Sequence, residues 1–301
     1  MISAYLDIGT NTFELLVVEH NSRQQFEFIG QRLLPVFLGR GSYQDNSAQK
    51  DRLEIALAAL DECLEYAKLN GAASLQAYGT SASRDYQLSK HFEQIKGVEF
   101  KVISGNKEAL IVKDAIKTIT SHLAGPKLIM DIGGGSVELT SLNTEEQSVS
   151  LDIGVTRLQE KLNIGPQMNP NSLQDLHSYL LEKSTQLNAQ KTKHLIGCSG
   201  SMETFFDLLD KEVTRSKTLK SIPSAVAVPV LEKWIFSSEK EREANNRIPD
   251  FRKTLIPIGM SIILFYIQHF KIEWIHYSKY GLKEAMFFED IKHYYGEDSS
   301  H

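Results

Sequence analysis

Cysteine is nearly absent. Cys63 and Cys198 are the only two, which excludes a disulfide-stapled scaffold, and they have no zinc-ligand spacing. A reducing cytoplasm is the expected setting. Long apolar runs are also lacking. The most apolar stretch, Ile256–Ile267, contains Pro257 and falls well short of the ~20 residues a membrane helix needs; it reads as a buried helix. The apolar run behind Met1 ends at Asp7, too short for the core of a secretory leader. Excess positive charge is missing too. Lys and Arg number 33 against 38 Asp and Glu, a formal net charge of -5, so no global basic field invites nucleic acid or an acidic membrane. A polyanion would need a local patch. The nine histidines are scattered and suggest no metal cluster.

The chain has 301 residues, 42% of them hydrophobic, enough for two domains of ~100–200 residues with their own cores. Three strand-like runs, Ala4–Ile8, Phe13–Glu19 and Gln25–Arg32, are separated by turn residues. The spacing of Leu53, Ala56, Leu57, Leu60 and Leu64 predicts a helix over Asp51–Leu69, closed by Gly71. Strands follow at Ser74–Tyr78 and Val98–Ile103, with a short helix near Asp85–Lys96 between them and another helix over Lys107–Ile119. A second block of strands opens at Lys127, and the chain closes with a strand at Glu273–Tyr277 and a helix from Leu282. This is an α/β pattern with a hairpin opening each half. Gly125-Pro126 marks the junction, giving domains over 1–124 and 125–301, with the last helix free to pack back on the first. Lys211–Pro229 has little periodicity and reads as a loop or lid.

The decisive feature is a repeat. Asp7-Ile8-Gly9-Thr10-Asn11-Thr12-Phe13-Glu14-Leu15 returns as Asp131-Ile132-Gly133-Gly134-Gly135-Ser136-Val137-Glu138-Leu139. Each copy is strand, tight polar turn, strand, and the pair suggests a duplicated fold with two facing hairpins. The residue types suit phosphate. A turn of Gly, Thr, Asn and Ser presents backbone N–H groups as an anion nest, and glycine permits close approach. Asp7 and Asp131, just before the turns, suit a hard cation such as Mg²⁺ that bridges carboxylate and phosphate. Glu138 suits the metal or its water.

Other segments join the inventory with two readings each. Gly197-Cys198-Ser199-Gly200-Ser201 links a strand to a helix beginning at Met202; it is either a phosphate site or an ordinary turn capped by Ser201. Glu108 follows a strand at the start of a helix that Asn106 can cap; it is either a partner of the helix dipole or a general base for an attacking water. Arg84, at the start of a short helix, could grip phosphate with its fork of donors or be a lone surface arginine. Lys211, Arg215, Lys217 and Lys220 give the proposed lid positive charge, for a polyanion or simply for solvent.

With DIGTNTFELLV, GTSASRD, VISGNKEAL, LIMDIGGGSVEL, DIGVTRL, GCSGSMET and YGLKEAMFFE in this order, the chain resembles the exopolyphosphatase / guanosine pentaphosphate phosphohydrolase (Ppx/GppA) family of the actin-like ATPase superfamily. The resemblance implies two ribonuclease-H-like domains flanking a central cleft. It implies Mg²⁺-dependent (or Mn²⁺-dependent) release of terminal phosphate from inorganic polyphosphate, or from the 5′ end of guanosine pentaphosphate. It implies Glu108 as general base and Asp131 and Glu138 as holders of metal and water; Asp7, ahead of the other turn, is a further candidate metal ligand. Gly133, Gly134, Gly135 and Ser136 match one phosphate loop, and Gly9, Thr10, Asn11 and Thr12 the other. Arg84 matches a phosphate-contacting arginine, and Gly200 and Ser201 join the substrate set. Three positions depart from the family pattern: Lys107 where a second Glu is usual, Thr254 for Asp, and Ala285 for Gly. No nucleic-acid or membrane partner is expected, and a homodimer is left open. The rival readings are a kinase of the same fold and a non-catalytic sensor that binds a guanosine alarmone.

Overall fold

The computed structural model describes every residue except 23, 42, 44–49, 74, 87–91, 93–96, 143–145, 188–191, 210–213, 216–217 and 296–301. The chain divides into two compact units, Met1–Ala115 with Tyr280–His301, and Ile116–Lys279. The Gly125-Pro126 turn lies inside the second.

The first unit contains strands β1 (Ile2–Ile8), β2 (Thr12–His20), β3 (Phe26–Pro35), β4 (Leu75–Gly79) and β5 (Val98–Val102). They form one sheet in the order β3-β2-β1-β4-β5. β1, β2 and β3 are antiparallel, whereas β4 and β5 run parallel to β1. The helices are α1 (Lys50–Leu69), α2 (Ser81–Asp85), the first turns of α3 (Gly105–Ile119) and α10 (Leu282–Tyr295). α1 forms as its spacing predicts: Ala56, Ala59, Leu60, Cys63, Leu64 and Ala67 share the buried face. Gly71 ends it at φ +88, a backbone that glycine adopts without strain. The helix expected near Asp85–Lys96 falls mostly outside the described residues; α2 precedes it and holds Arg84 in its last turn, not its first.

The second unit repeats the arrangement. β6 (Lys127–Ile132), β7 (Val137–Leu142), β8 (Gln147–Leu151), β9 (His194–Gly197), β10 (Thr214–Arg215), β11 (Leu219–Pro223) and β12 (Trp274–Ser278) lie in the order β10-β11-β12-β9-β6-β7-β8. Read from β8, this is the order of the first sheet, with β12 in the place of β5 and β11-β10 added at the edge. Both sheets have the ribonuclease-H-like order that the resemblance implies. The helices are α4 (Val155–Lys161), α5 (Pro170–Lys183), α6 (Gly200–Asp207), α7 (Ser224–Ile235), α8 (Glu239–Ala244) and α9 (Ile256–Phe270). α9 is apolar on nearly every side and almost wholly buried, as the run around Ile256–Ile267 requires. Pro257 sits in its first turn, where no helical bond is lost. Among the described residues no helix is long and apolar enough to cross a membrane.

One expectation is corrected. Lys211–Pro229 is not an aperiodic lid: it carries β10, β11 and the start of α7. β11 lies between β10 and β12 and pairs antiparallel with both. A two-residue edge strand, a strand whose burial does not alternate and a proline within the helix, Pro229, erase the periodicity by which such elements are read. Lys211 and Lys217 lie outside the described residues. Lys220 is engaged by Asp207, 3.3 Å away, and lies over the Tyr277 ring.

Candidate active site

In the first unit, the predicted residues gather where parallel strands end, the usual binding edge of an α/β sheet. β1, β4 and β5 run side by side, and the turns that follow them are stitched together: Thr80 N–H donates to the Ile8 carbonyl (3.2 Å) and Ile103 N–H to the Gly79 carbonyl (3.0 Å). The 9–12 bend, Arg84 and Glu108 therefore share one sheet edge. Glu108 is buried at 7% exposure in the first turn of α3. The expected cap Asn106 does not start this helix; Ser104 does, its hydroxyl accepting from Lys107 N–H at 3.2 Å. Arg84 Nη1 donates to Glu108 Oε2 at 3.1 Å and to the Ile103 carbonyl at 2.8 Å. The arginine thus orients the carboxylate, and part of its donor fork is committed to that work.

The two bends have matching anatomy. Gly9 N–H donates to the Thr12 carbonyl and Gly133 N–H to the Ser136 carbonyl, both at 3.0 Å. In the first bend, the Thr10 carbonyl accepts from Gly39 N–H, and the Asn11 carbonyl from Val36 and Phe37 N–H. In the second, the Gly133 carbonyl accepts from Val155 N–H, that of Gly134 from Thr156 and Arg157 N–H, and that of Gly135 from Gly154 N–H. Arg157 Nε adds a 2.6 Å bond to the Gly135 carbonyl. In each unit the segment after the third strand ties back the carbonyls of the bend. Neither web draws on the N–H of Gly134 or Gly135, which suits the bend to an anion.

The acidic residues also match. Asp7 faces Glu14 across β1 and β2, and Asp131 faces Glu138 across β6 and β7. Glu138 is buried and accepts from the Ser150 hydroxyl at 2.7 Å. Glu14 instead takes the Lys283 ammonium at 2.8 Å. Burial opposes charge on Lys283, but Glu14, Glu284 and Asp7 overcome it and hold its pKa well above the ordinary lysine value. The segment at 197–201 lies beside the second bend, since β9 runs parallel to β6 and Cys198 N–H donates to the Met130 carbonyl. Its helix begins at Gly200, with Ser199 in the capping position and making no side-chain cap bond, so Ser201 is not the cap. Gly200 packs against Arg252, which pairs with Glu203 at 2.8 Å.

Sequence reasoning assigned no role to Gly154, Arg157, Ser150 or Lys283. Gly154 and Arg157 stood in a quoted motif, DIGVTRL; the signal that would have found them is the length of third strand and turn needed to return to the bend. Lys283 is far from Glu14 in the chain and carries no local signal.

The family model for Ppx/GppA phosphatases matches residues 16–294. The chain belongs to the Ppx/GppA phosphatase family. Exopolyphosphatase 1 of Mycobacterium tuberculosis is 30% identical over 159 residues, covering 51% of this chain and 46% of the relative. Guanosine-5'-triphosphate,3'-diphosphate pyrophosphatase of Vibrio vulnificus is 25% identical over 307 residues, covering 95% of this chain and 58% of the relative. The chain thus spans about half the length of these curated Ppx/GppA relatives. A crystal structure of an exopolyphosphatase from Cytophaga hutchinsonii superposes with a TM-score of 0.89 at 23% identity, covering 97% of this chain and 98% of that one. The Aquifex aeolicus Ppx/GppA family member gives 0.78 at 20%, covering 100% and 99%. These likenesses establish the Ppx/GppA fold along the chain.

Proposed function

We propose that this chain is a metal-dependent phosphohydrolase that releases terminal orthophosphate from inorganic polyphosphate by direct attack of water. The observation that carries this reading is Glu108: a buried carboxylate, oriented by Arg84, at the sheet edge that also bears the 9–12 bend. Water's oxygen forms the new bond to the terminal phosphorus as the bridging P–O bond breaks, and the shortened chain leaves with the bridging oxygen. Glu108 accepts the proton that water loses. N–H groups of the 9–12 bend, on the same sheet edge as Glu108, hold the charge that spreads over the transferred group.

Asp131 and Glu138 fit a hard divalent ion. Both offer carboxylate oxygens from facing strand positions. Two such carboxylates suit Mg²⁺, which is commonly held by one or two of them with waters and substrate phosphates completing its shell. When bound there, the ion would neutralise phosphate charge.

Likeness to the Vibrio relative along 95% of the chain supports guanosine pentaphosphate as the second substrate to test. Orthophosphate release is measured with short polyphosphate, long polyphosphate and guanosine pentaphosphate, in Mg²⁺ and in Mn²⁺. Glu108→Gln is expected to lower the rate ~10²–10⁴-fold with unchanged circular dichroism. A folded variant that keeps wild-type release removes Glu108 from the reaction, and tight alarmone binding without any turnover overturns the hydrolase reading.

A further inference from the structure

The two motif copies place an acid pair at the same register position, and in the first copy the glutamate carries a lysine ammonium. Glu138 takes a hydroxyl from Ser150 at 2.7 Å. Glu14 takes an ammonium: Lys283 Nζ lies 2.8 Å from Oε2, while the other oxygen accepts from the Thr12 hydroxyl at 3.4 Å. Lys283 is mostly buried, with 16% of its side chain exposed, and its Nζ is also 3.3 Å from Glu284 Oε1. Glu284 is itself buried and fixed by Gly281 N–H, which donates to Oε2 at 2.9 Å. The ammonium is therefore held from two sides. Lys107, which pairs with Glu289, is largely exposed by comparison.

We propose that Lys283 is the resident cation of the first motif copy: its ammonium sits on Glu14, the residue facing Asp7 across β1 and β2, where a divalent ion would otherwise lie, and through Glu14 and Thr12 it positions the 9–12 bend. This assigns a positioning role to a residue that does not itself touch substrate, and it replaces Asp7 as a divalent-metal ligand. The electrostatic part stands on the contacts above. Only its catalytic consequence rests on reading the bend as a phosphate site.

The full chain is compared with Lys283→Met, Lys283→Arg and Lys283→Met/Glu14→Gln, each melted in EDTA and in excess Mn²⁺. Methionine keeps the bulk of the side chain but leaves the part-buried Glu14 and the buried Glu284 carboxylates unmatched, so Lys283→Met is expected to melt ~5 °C or more below wild type in EDTA. It should then gain more from Mn²⁺ than wild type gains, because the vacated acid pair now accepts the ion. Adding Glu14→Gln should raise the melting temperature in EDTA and erase the extra Mn²⁺ response. Lys283→Arg should stay close to wild type. A double variant no more stable than Lys283→Met overturns the proposal, as does an Mn²⁺ response of Lys283→Met no larger than that of wild type. Should Lys283→Met fail to fold, a folded double variant supports the proposal and an unfolded one overturns it. Phosphate release by the wild type is read separately. Its absence would remove the hydrolase reading without moving any of these melts.

Discussion

Gly154 meets its surroundings so closely that a single added carbon would matter. A Cβ there would lie 2.4 Å from backbone atoms of Gly134 and Gly135. Its own φ is -66, which alanine adopts freely, so the barrier is contact and not conformation. The atoms in the way are main chain and cannot swing aside as a side chain end could. Gly154→Ala should displace the 133–136 bend. Overpacking of this kind costs ~1–3 kcal/mol, and a shift of about 1 Å in a substrate-positioning group costs ~10²-fold in rate. Gly165→Ala is the control, since nothing lies within 4 Å of its Cβ position. Parallel assays of phosphate release and urea unfolding check both expectations; equal behaviour of the two variants would free the bend from any dependence on Gly154.

At the scale of elements, α8 shows how a short helix is held. Ser238 and Glu241 form a reciprocal capping box at its start, a pattern visible in the sequence. The larger restraint is Arg242, fully buried. Its Nε donates to the Lys253 carbonyl at 2.7 Å, Nη1 to the Ser237 carbonyl at 2.5 Å, and Nη2 to the Pro166 carbonyl. One guanidinium thus joins three chain segments. Arg242→Met should fill much of the volume yet strand those carbonyls, at a cost of ~1–3 kcal/mol for each, and urea unfolding should show a loss of ~3 kcal/mol or more. Ser238→Ala should cost only ~1 kcal/mol. The contrast marks what a sequence exposes. Elements with a strong period or a paired turn were legible: α1, α9 and both opening hairpins form where their patterns predict. So was the repeat, because Asp7 and Asp131 stand at equal register in equal strands. The two-residue edge strand β10 was not, being too short to show alternation, nor was β11, whose burial does not alternate. Nor were Arg242, Lys283 and the carbonyl ties from Gly154, because each is a long-range contact, and the sequence carries no local trace of its partner.

Across the whole molecule, acid should be the chief threat to stability. His20, His177, His194 and His276 all have pKa values below the ordinary 6.5, burial being the largest cause in each. The most affected is His276, lowered to about 3 by burial and then by the charges of His194 and His122. Its bonds set the tautomers of the neutral pair. His194 Nε2 must donate to the Ala124 carbonyl, 3.0 Å away, so in the neutral ring Nδ1 accepts from His276 Nε2 at 3.0 Å. His276 Nδ1 then accepts from the Ser221 hydroxyl at 2.7 Å. Protons on both rings would set donor against donor, and burial disfavours the charge of even one. Between pH 6.5 and about 3 the unfolded chain binds a proton at this position that the folded chain refuses, so stability rises with pH across that window. The contribution is complete above 6.5 and is lost as pH falls toward 3. His276→Gln keeps a donor and an acceptor but cannot titrate. Melting temperatures taken from pH 7 to pH 4 at fixed ionic strength should therefore fall less steeply for His276→Gln than for wild type, even if the variant starts lower. Carboxylates that also protonate in this range are common to both proteins, so parallel curves would assign the acid sensitivity to them and not to the buried imidazole.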